Sequence, residues 1–185
     1  MLRTALMELT AEYGYEAVTV SAITARALVH RTTFYRYYED KDDLLLRGMA
    51  ELYDELVADA PDAPAIGDGA STRLPSALTA ALSFVARNER FFRRMLGEDG
   101  DPRFQAKIRD YHRSIIGDRI RLALRASGRS DAASDEARVG LLIGSAAGAF
   151  DGVVSAWLAE RCEASVDAVA EQILSAIGAA IEAFR

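Results

Sequence analysis

The chain has 185 residues, half of them hydrophobic, and its formal net charge is −6. That length suits one large hydrophobic core, or a small module of about 50 residues joined to a larger one, and abundant Ala, Leu, Arg and Glu beside only four Pro predict an all-α fold. One cysteine excludes an internal disulfide, and the Cys and His residues lack metal-ligand spacing. We therefore expect a cytoplasmic protein without a metal or cofactor.

The helices predicted before the first linker have the bounds 2–13, 20–27, 31–37 and a fourth beginning at Lys41. Helix 2–13 has apolar residues at three- and four-residue steps, and Gly14 follows it, where a left-handed residue commonly ends a helix. Thr19 and Asp40 are suited to cap the second and fourth helices. The second and third helices are therefore short and are joined by a tight connection at 28–30.

Segment 60–75 concentrates Pro, Gly, Asp and Ser and is the one clear linker in the sequence. The helices predicted after it span 76–88, 89–96, 102–126, 134–160 and 165–184. Within the fourth of these, 139–159 has Asp151 as its only charge and resembles a membrane span in composition. An Asp near the middle of a span costs roughly 2.5–3.5 kcal/mol, so we interpret the segment as a buried helix and expect no membrane partner.

Charge is unevenly distributed along the chain. From Ala17 to Tyr38 there is no Asp or Glu, whereas Arg26, Arg31 and Arg36 fall inside the same window. Because polyanion binding depends mainly on phosphate neutralisation, the local charge matters more than the negative total. The window predicts one positive surface, rich in Arg, Thr, Tyr and Ser, on an acidic protein.

Two short helices joined by a three-residue turn, after a longer first helix, form a helix-turn-helix, whose last helix enters the major groove of DNA. The candidate DNA contacts are side chains of the third helix and the Lys that opens the fourth: Arg31, Thr32, Thr33, Tyr35, Arg36, Tyr37 and Lys41. The alternative is a solvated helix edge with aromatic residues in the core. Phe34 fits that core, but Tyr35, Tyr37 and Tyr38 point in different directions and cannot all be buried.

The same segment resembles the TetR family of bacterial transcription regulators. The resemblance is carried by Gly14-Tyr15, Thr19-Val20, Ile23, Ala27, Val29, the run Arg31-Thr32-Thr33-Phe34-Tyr35-Arg36-Tyr37-Tyr38 and the run Lys41-Asp42-Asp43-Leu44-Leu45. It implies that Thr33, Tyr35 and Tyr37 contact DNA. It also implies that Lys41 holds a phosphate and that Thr19 caps the second helix near the DNA backbone.

Three residues around the turn depart from the family pattern. Leu28 stands where the family usually has Gly, His30 replaces a common Ser or Thr cap, and Thr24 replaces a common Ala. A side chain in a left-handed turn costs on the order of 1–2 kcal/mol, so we expect strain at this turn.

The resemblance implies a DNA-binding domain over 1–46 and a ligand-binding and dimerisation domain over 47–185, with a dimer interface on the last two helices. The sequence supports that interface with Gly at every fourth position of one helix and an apolar stripe on the next. The candidate interface residues are Gly140, Gly144, Gly148, Gly152, Val166, Val169, Ala170, Ile173, Ile177 and Ile181. Each Gly inside a helix costs about 1 kcal/mol relative to Ala, so four in register indicate close helix packing. Packing within one subunit is the alternative.

The middle helices contain several large residues that are available to line a ligand pocket. They are Phe84, Phe91, Phe92, Met95, Phe104, Tyr111, Phe150 and Trp157. Most of them also suit an ordinary core. His112 is a candidate polar contact to the ligand, and a solvated or hydrogen-bonded histidine is the alternative. We expect the effector, if one binds, to be a small apolar or amphipathic molecule.

The leading hypothesis is a ligand-responsive repressor that binds a palindromic operator as a homodimer, with its recognition helices about one DNA turn apart. Activation instead of repression remains open. An all-α enzyme is a rival class, but the sequence has no Glu-x-x-His pair, no phosphate-binding Gly loop and only two, distant, His residues. A small-molecule-binding dimer without DNA binding is a second rival, and it leaves the carboxylate-free window unexplained.

Overall fold

The computed structural model describes residues 1–58, 76–97, 100–126 and 135–183, and every regular element in these ranges is an α-helix. The helices, in chain order, are α1 (Leu2–Tyr13), α2 (Val20–Arg26), α3 (Arg31–Tyr37), α4 (Lys41–Ala58), α5 (Ser76–Arg87), α6 (Glu89–Leu96), α7 (Pro102–Ala126), α8 (Glu136–Ala159) and α9 (Val166–Ala183). The predicted all-α fold is confirmed. The predicted linker, 60–75, lies outside the described residues.

Helices α1, α2 and α3 form a small head whose core is closed by α4. Leu6, Ile23, Phe34 and Leu44 are at most 1% exposed and come from these four helices in turn. At about 25 cal/mol per Å² of apolar surface, side chains of this size each contribute roughly 1.5–3 kcal/mol when fully buried. The head therefore has a hydrophobic core that holds α3 in place.

Helix α4 connects the head to the rest of the chain. It contacts α1 on one side and α5 on the other, and it runs without interruption past residue 46. The division at residues 46 and 47 that the resemblance implies thus falls inside a continuous helix. Only residues 38–40 separate the end of α3 from the start of α4.

Helix α8 is the central element of the body, where it packs against α6, α7 and α9. By length and composition alone this helix could span a membrane, but buried core helices often have the same length and composition. Its inward face is buried at Val139, Ile143, Val154 and Trp157. The Trp157 indole N–H also donates to the Ala164 carbonyl, 2.9 Å away, across the turn between α8 and α9.

The apolar stripe of α9 faces the interior of its own protomer. Val169, Ala170, Ile173 and Ile177 are at most 6% exposed, and α9 packs on α5 and α8. The stripe's outer members, Val166 and Ile181, are partly buried against the same core. This placement corrects the orientation expected from the sequence: the stripe covers the protomer's core, and the opposite side of α9 is the exposed one.

Candidate DNA interface and effector cavity

Helix α3 exposes the chemistry that DNA recognition requires. Its candidate contacts are all exposed: Arg31, Thr32, Thr33, Tyr35, Arg36 and Tyr37. Phe34 is fully buried between them and contacts the ring of Tyr35 edge to face, with 5.3 Å between ring centres. One inward anchor on a short helix thus leaves two tyrosines, 48% and 56% exposed, on the outer surface.

The exposed arginines of α3 are held beside aromatic rings. The Arg31 guanidinium donates to the Tyr35 hydroxyl at 3.1 Å and to the Ser21 hydroxyl at 3.5 Å, and it lies 5.5 Å from the Tyr35 ring centre. The Arg36 guanidinium lies 5.9 Å from the Tyr37 ring centre. Within the described residues neither arginine forms an ion pair with a carboxylate. Both charges therefore remain available to phosphates or guanine edges.

Arg26, the third arginine of the carboxylate-free window, has a different role. Its guanidinium bonds both carboxylate oxygens of Glu12 at 3.0 Å and reaches Glu8 at 3.3 Å. The hydrogen bond from Arg26 holds the pKa of Glu12 below its usual value. Arg26 therefore links α2 to α1, and the positive surface of the head rests on α3.

Lys41 makes intramolecular contacts in the DNA-free structure. Its ammonium donates to the carbonyls of Tyr15 at 2.8 Å and Val18 at 3.1 Å, and it lies 4.3 Å from the Tyr15 ring centre. The Tyr15 hydroxyl donates to the Asp42 carboxylate, and burial followed by this bond raises the pKa of Tyr15. An ammonium has three donor hydrogens, so one remains for a phosphate. The cluster fastens the start of α4 to the loop before α2.

The turn between α2 and α3 has the strained geometry expected from its sequence. Leu28 adopts φ 55° and is 92% exposed, so its side chain gains no burial to offset the left-handed backbone. His30 precedes α3 without a side-chain cap bond, and its ring nitrogen instead lies 2.9 Å from the Thr32 hydroxyl. Thr19 caps α2 as expected, accepting from the Ala22 N–H at 3.2 Å.

A cavity of about 90 Å³ lies in the body between α4, α5, α6, α7 and α8. Its lining consists of Met49, Leu52, Ala81, Leu82, Phe84, Val85, Phe92, Leu96, Ile108, Tyr111, His112, Phe150 and Val154. Five of the candidate pocket residues are among them: Phe84, Phe92, Tyr111, His112 and Phe150. The other four are buried in the core outside the lining: Phe91, Met95, Phe104 and Trp157.

Two features of this cavity were missed from the sequence. Met49 and Leu52 bring α4 into the wall, and their three-residue spacing on that helix is also that of an ordinary core stripe. His112 is paired with Asp151 on α8, with 2.6 Å between Nδ1 and the carboxylate. The isolated charge of Asp151 in an apolar helix was the signal that could have identified the pair, because buried charges are normally paired.

The outer face of α8 is exposed and lined by small side chains. A Cβ added at Gly140, Gly148 or Gly152 would meet no atom within 4 Å, and at Gly144 only the Arg113 guanidinium at 3.9 Å. The positions that share the most exposed row of α8 are Leu141, Ser145, Gly148, Gly152 and Ser155. The glycines thus provide no close packing inside the protomer, and Leu141, 74% exposed, lies in their row.

The head, with its capped α2, its tight turn and the exposed face of α3, defines a helix-turn-helix protein with a helical body. Residues 2–47 match the family described as bacterial regulatory proteins, tetR family, and residues 73–178 match a transcriptional regulator C-terminal region. The chain belongs to the TetR family and is a DNA-binding transcriptional regulator. Regulators of this type bind DNA and small-molecule effectors and usually dimerise.

Several solved structures are similar in fold to this chain. A TetR-like transcriptional regulator from Rhodococcus sp. RHA1 is 22% identical, with a TM-score of 0.60 over 98% of this chain and 93% of its own. The fatty acid degradation regulator FadR from Bacillus halodurans is 19% identical, with a TM-score of 0.68 over 95% of each chain. The dihydroxyacetone kinase operon activator DhaS is 17% identical, with a TM-score of 0.66 over 100% and 96%. A comparison with curated protein sequences finds no match.

Proposed function

We propose that this regulator binds a palindromic operator as a homodimer and that a small effector releases it. The observation that carries the proposal is the exposed, carboxylate-free face of α3. Thr32, Thr33, Tyr35 and Tyr37 supply hydroxyls to bases and phosphates, and Arg31 is already oriented by Tyr35. The surrounding phosphate contacts are proposed for Arg36, for the one remaining donor of Lys41, and for Thr19 at the α2 N-terminus.

The dimer is proposed to form through the outer faces of α8 and α9. On α8 the row of small side chains lets a second helix approach closely, and on α9 Gly178 is equally open. A two-fold axis through these faces would generate a four-helix interface and present two copies of α3 to one duplex. Because the protein is then two-fold symmetric, its operator should be an inverted repeat with half-sites about one turn apart.

The effector response is proposed to pass through α4. Met49 and Leu52 form part of the cavity wall, and only three residues, 38–40, separate α3 from α4. A ligand that needs more than the 90 Å³ present would displace α4 and favour a different separation of the two heads. A shift from 1:99 to 99:1 between the two separations requires a roughly 10⁴-fold preference of the ligand for one of them.

We infer two domains with the bounds expected from the sequence. Residues 1–46 bind DNA, residues 47–185 bind the ligand and the second copy, and α4 belongs to both. We also infer a cytoplasmic protein without catalytic activity. Burial raises the pKa of the Cys162 thiol, which makes it a poor nucleophile. We propose that the protein represses transcription. Because the structurally similar DhaS is an operon activator, a reporter gene fused to the operator is needed to distinguish repression from activation.

Fluorescence anisotropy with a random duplex and with DNA flanking the encoding gene, over a salt series, tests DNA binding. Thr33→Ala and Tyr37→Ala should each weaken specific binding by roughly 1–3 kcal/mol and leave the dimer intact. Leu122→Ala is the matched control, since Leu122 is 69% exposed on α7, away from the head. Negligible binding of the parent at low salt, or parental binding by both variants, would contradict the proposal.

A further inference from the structure

The cavity wall contains little polar chemistry. Of its lining residues only Tyr111 and His112 have polar side-chain groups, and no charged carboxylate or guanidinium belongs to the described lining. Phe84 and Phe92 pack edge to face with 5.9 Å between ring centres, and Phe150 packs in the same way against His112 at 4.8 Å. The space is therefore surrounded by aromatic edges with an imidazole among them.

The orientation of this imidazole is fixed by Asp151. His112 Nδ1 lies 2.6 Å from the Asp151 carboxylate, and the two side chains are 18% and 23% exposed. A carboxylate only accepts hydrogen bonds, so Nδ1 bears the proton and, in the neutral ring, Nε2 bears the lone pair. Within the described part of the chain Nε2 has no hydrogen-bond partner. Nε2 of His112 is therefore a hydrogen-bond acceptor for which the described residues supply no donor.

We propose that the cavity binds a small uncharged molecule of the phenol or alcohol class, whose hydroxyl donates to Nε2 of His112 while its apolar body contacts the Phe84, Phe92 and Phe150 rings. This inference rests on the proposed effector role of the cavity and names the chemistry of the effector. A carboxylate ligand fits less well, because it has no proton to donate to Nε2 and would add a second negative charge near Asp151 among apolar walls.

The cavity volume limits the size of this molecule. A cavity of about 150 Å³ lined by Leu, Ile and Phe binds benzene, and that volume is roughly 60 Å³ more than the 90 Å³ present here. The wall formed by Met49 and Leu52 belongs to α4, the helix whose displacement the proposed function requires. A single-ring phenol therefore exceeds the space present, and in this proposal its binding displaces α4.

Phenol, toluene and benzoate are matched probes, because they share a ring and differ in the polar group. Histidine labelled with ¹⁵N has only two residues to report, His112 at the cavity and His30 at the exposed start of α3. Phenol should shift the His112 Nε2 resonance saturably and leave His30 unchanged. Toluene should bind roughly three- to tenfold more weakly, the equivalent of one net hydrogen bond, and benzoate more weakly still.

Two variants separate the hydrogen bond from the cavity. His112→Leu should bind phenol and toluene with nearly equal affinity. Asp151→Asn should narrow the preference for phenol over benzoate, whereas Asp110→Asn, an exposed position on α7, should keep the parental preferences. A His112 resonance that phenol does not move, or tighter binding of benzoate than of phenol, would overturn the inference. Both are measured without DNA, so a failure to bind DNA would overturn only the proposed function.

Discussion

A large side chain in the glycine row of α8 should weaken the dimer without destabilising the folded protomer. In Gly148→Leu the new Cβ meets no atom of its own protomer within 4 Å, so the protomer has room for the side chain. Leu also has the better helix propensity, which favours the folded protomer by about 0.5–1 kcal/mol. Chain folding should therefore be unchanged or slightly more stable.

In the proposed dimer the same side chain occurs on both sides of a two-fold axis. Inserting a large group into a packed interface costs typically 1–3 kcal/mol, and symmetry applies that cost twice. The dimer should therefore be weakened by about 2–6 kcal/mol, which is a rise in the dissociation constant of roughly 30-fold to more than 10⁴-fold.

Sedimentation equilibrium over a concentration series measures this constant, and thermal unfolding at low concentration measures protomer stability. Ala106→Leu is the matched control, since it adds a side chain at an exposed position of α7 outside the proposed interface. Gly148→Leu should also lose its preference for a full palindrome over a half-site. If it dimerises like the parent, the outer face of α8 is not the interface.

Three further predictions concern the head. Leu28→Asn should stabilise it by up to about 1 kcal/mol in thermal unfolding, since Asn tolerates the left-handed turn and the Leu28 side chain is 92% exposed; a lower melting temperature would contradict the assignment of strain. Tyr15→Phe should lower the free energy of unfolding by about 1–2 kcal/mol, because the hydrogen bond to Asp42 is lost. Since the pKa of Tyr15 is raised in the folded state, the parent should lose stability above pH 10 more steeply than this variant. Parallel stability profiles of the two proteins above pH 10 would refute the linkage. Arg26 lowers the pKa of Glu12 in the folded state, so the parent should lose stability as the pH falls below about 4.5. In denaturant titrations at several pH values, Glu12→Gln should lose less stability than the parent over this range. An equally steep loss in both proteins would show that the bond between Arg26 and Glu12 is not linked to folding.

The head could be predicted from the sequence because its determinants are local. The periodicity of α1, the Thr19 cap and the carboxylate-free window each depend on residues close together in the chain. The family resemblance, in which Gly usually stands at the position of Leu28, indicated a costly turn residue there, and the structure gives Leu28 φ 55°. Phe34 as the inward anchor of α3 follows from the neighbouring tyrosines, which cannot share its direction.

The direction of a helix face could not be predicted, because an apolar stripe indicates burial without naming what covers it. The stripe that contains Ile173 predicts contact with a second copy or packing within one subunit, and in the structure its own protomer covers it. The carboxylate-free window places Arg26 on the positive surface, but Glu12, fourteen residues earlier in the chain, lies beside Arg26 and pairs with it. Met49 in the cavity wall likewise depends on where α4 lies against α5, which is tertiary information.

The distance between the two α3 helices in the DNA-bound protein decides whether the chain binds its operator as a two-fold symmetric dimer. Spin labels at Glu39→Cys, an exposed position after α3, in a Cys162→Ser background would report it by double electron–electron resonance. We expect one narrow distance distribution near a DNA turn, about 34–36 Å with the label length added, that broadens or shifts when DNA is withdrawn. Absence of dipolar coupling, or a distance unchanged by DNA and incompatible with successive major grooves, would contradict the account.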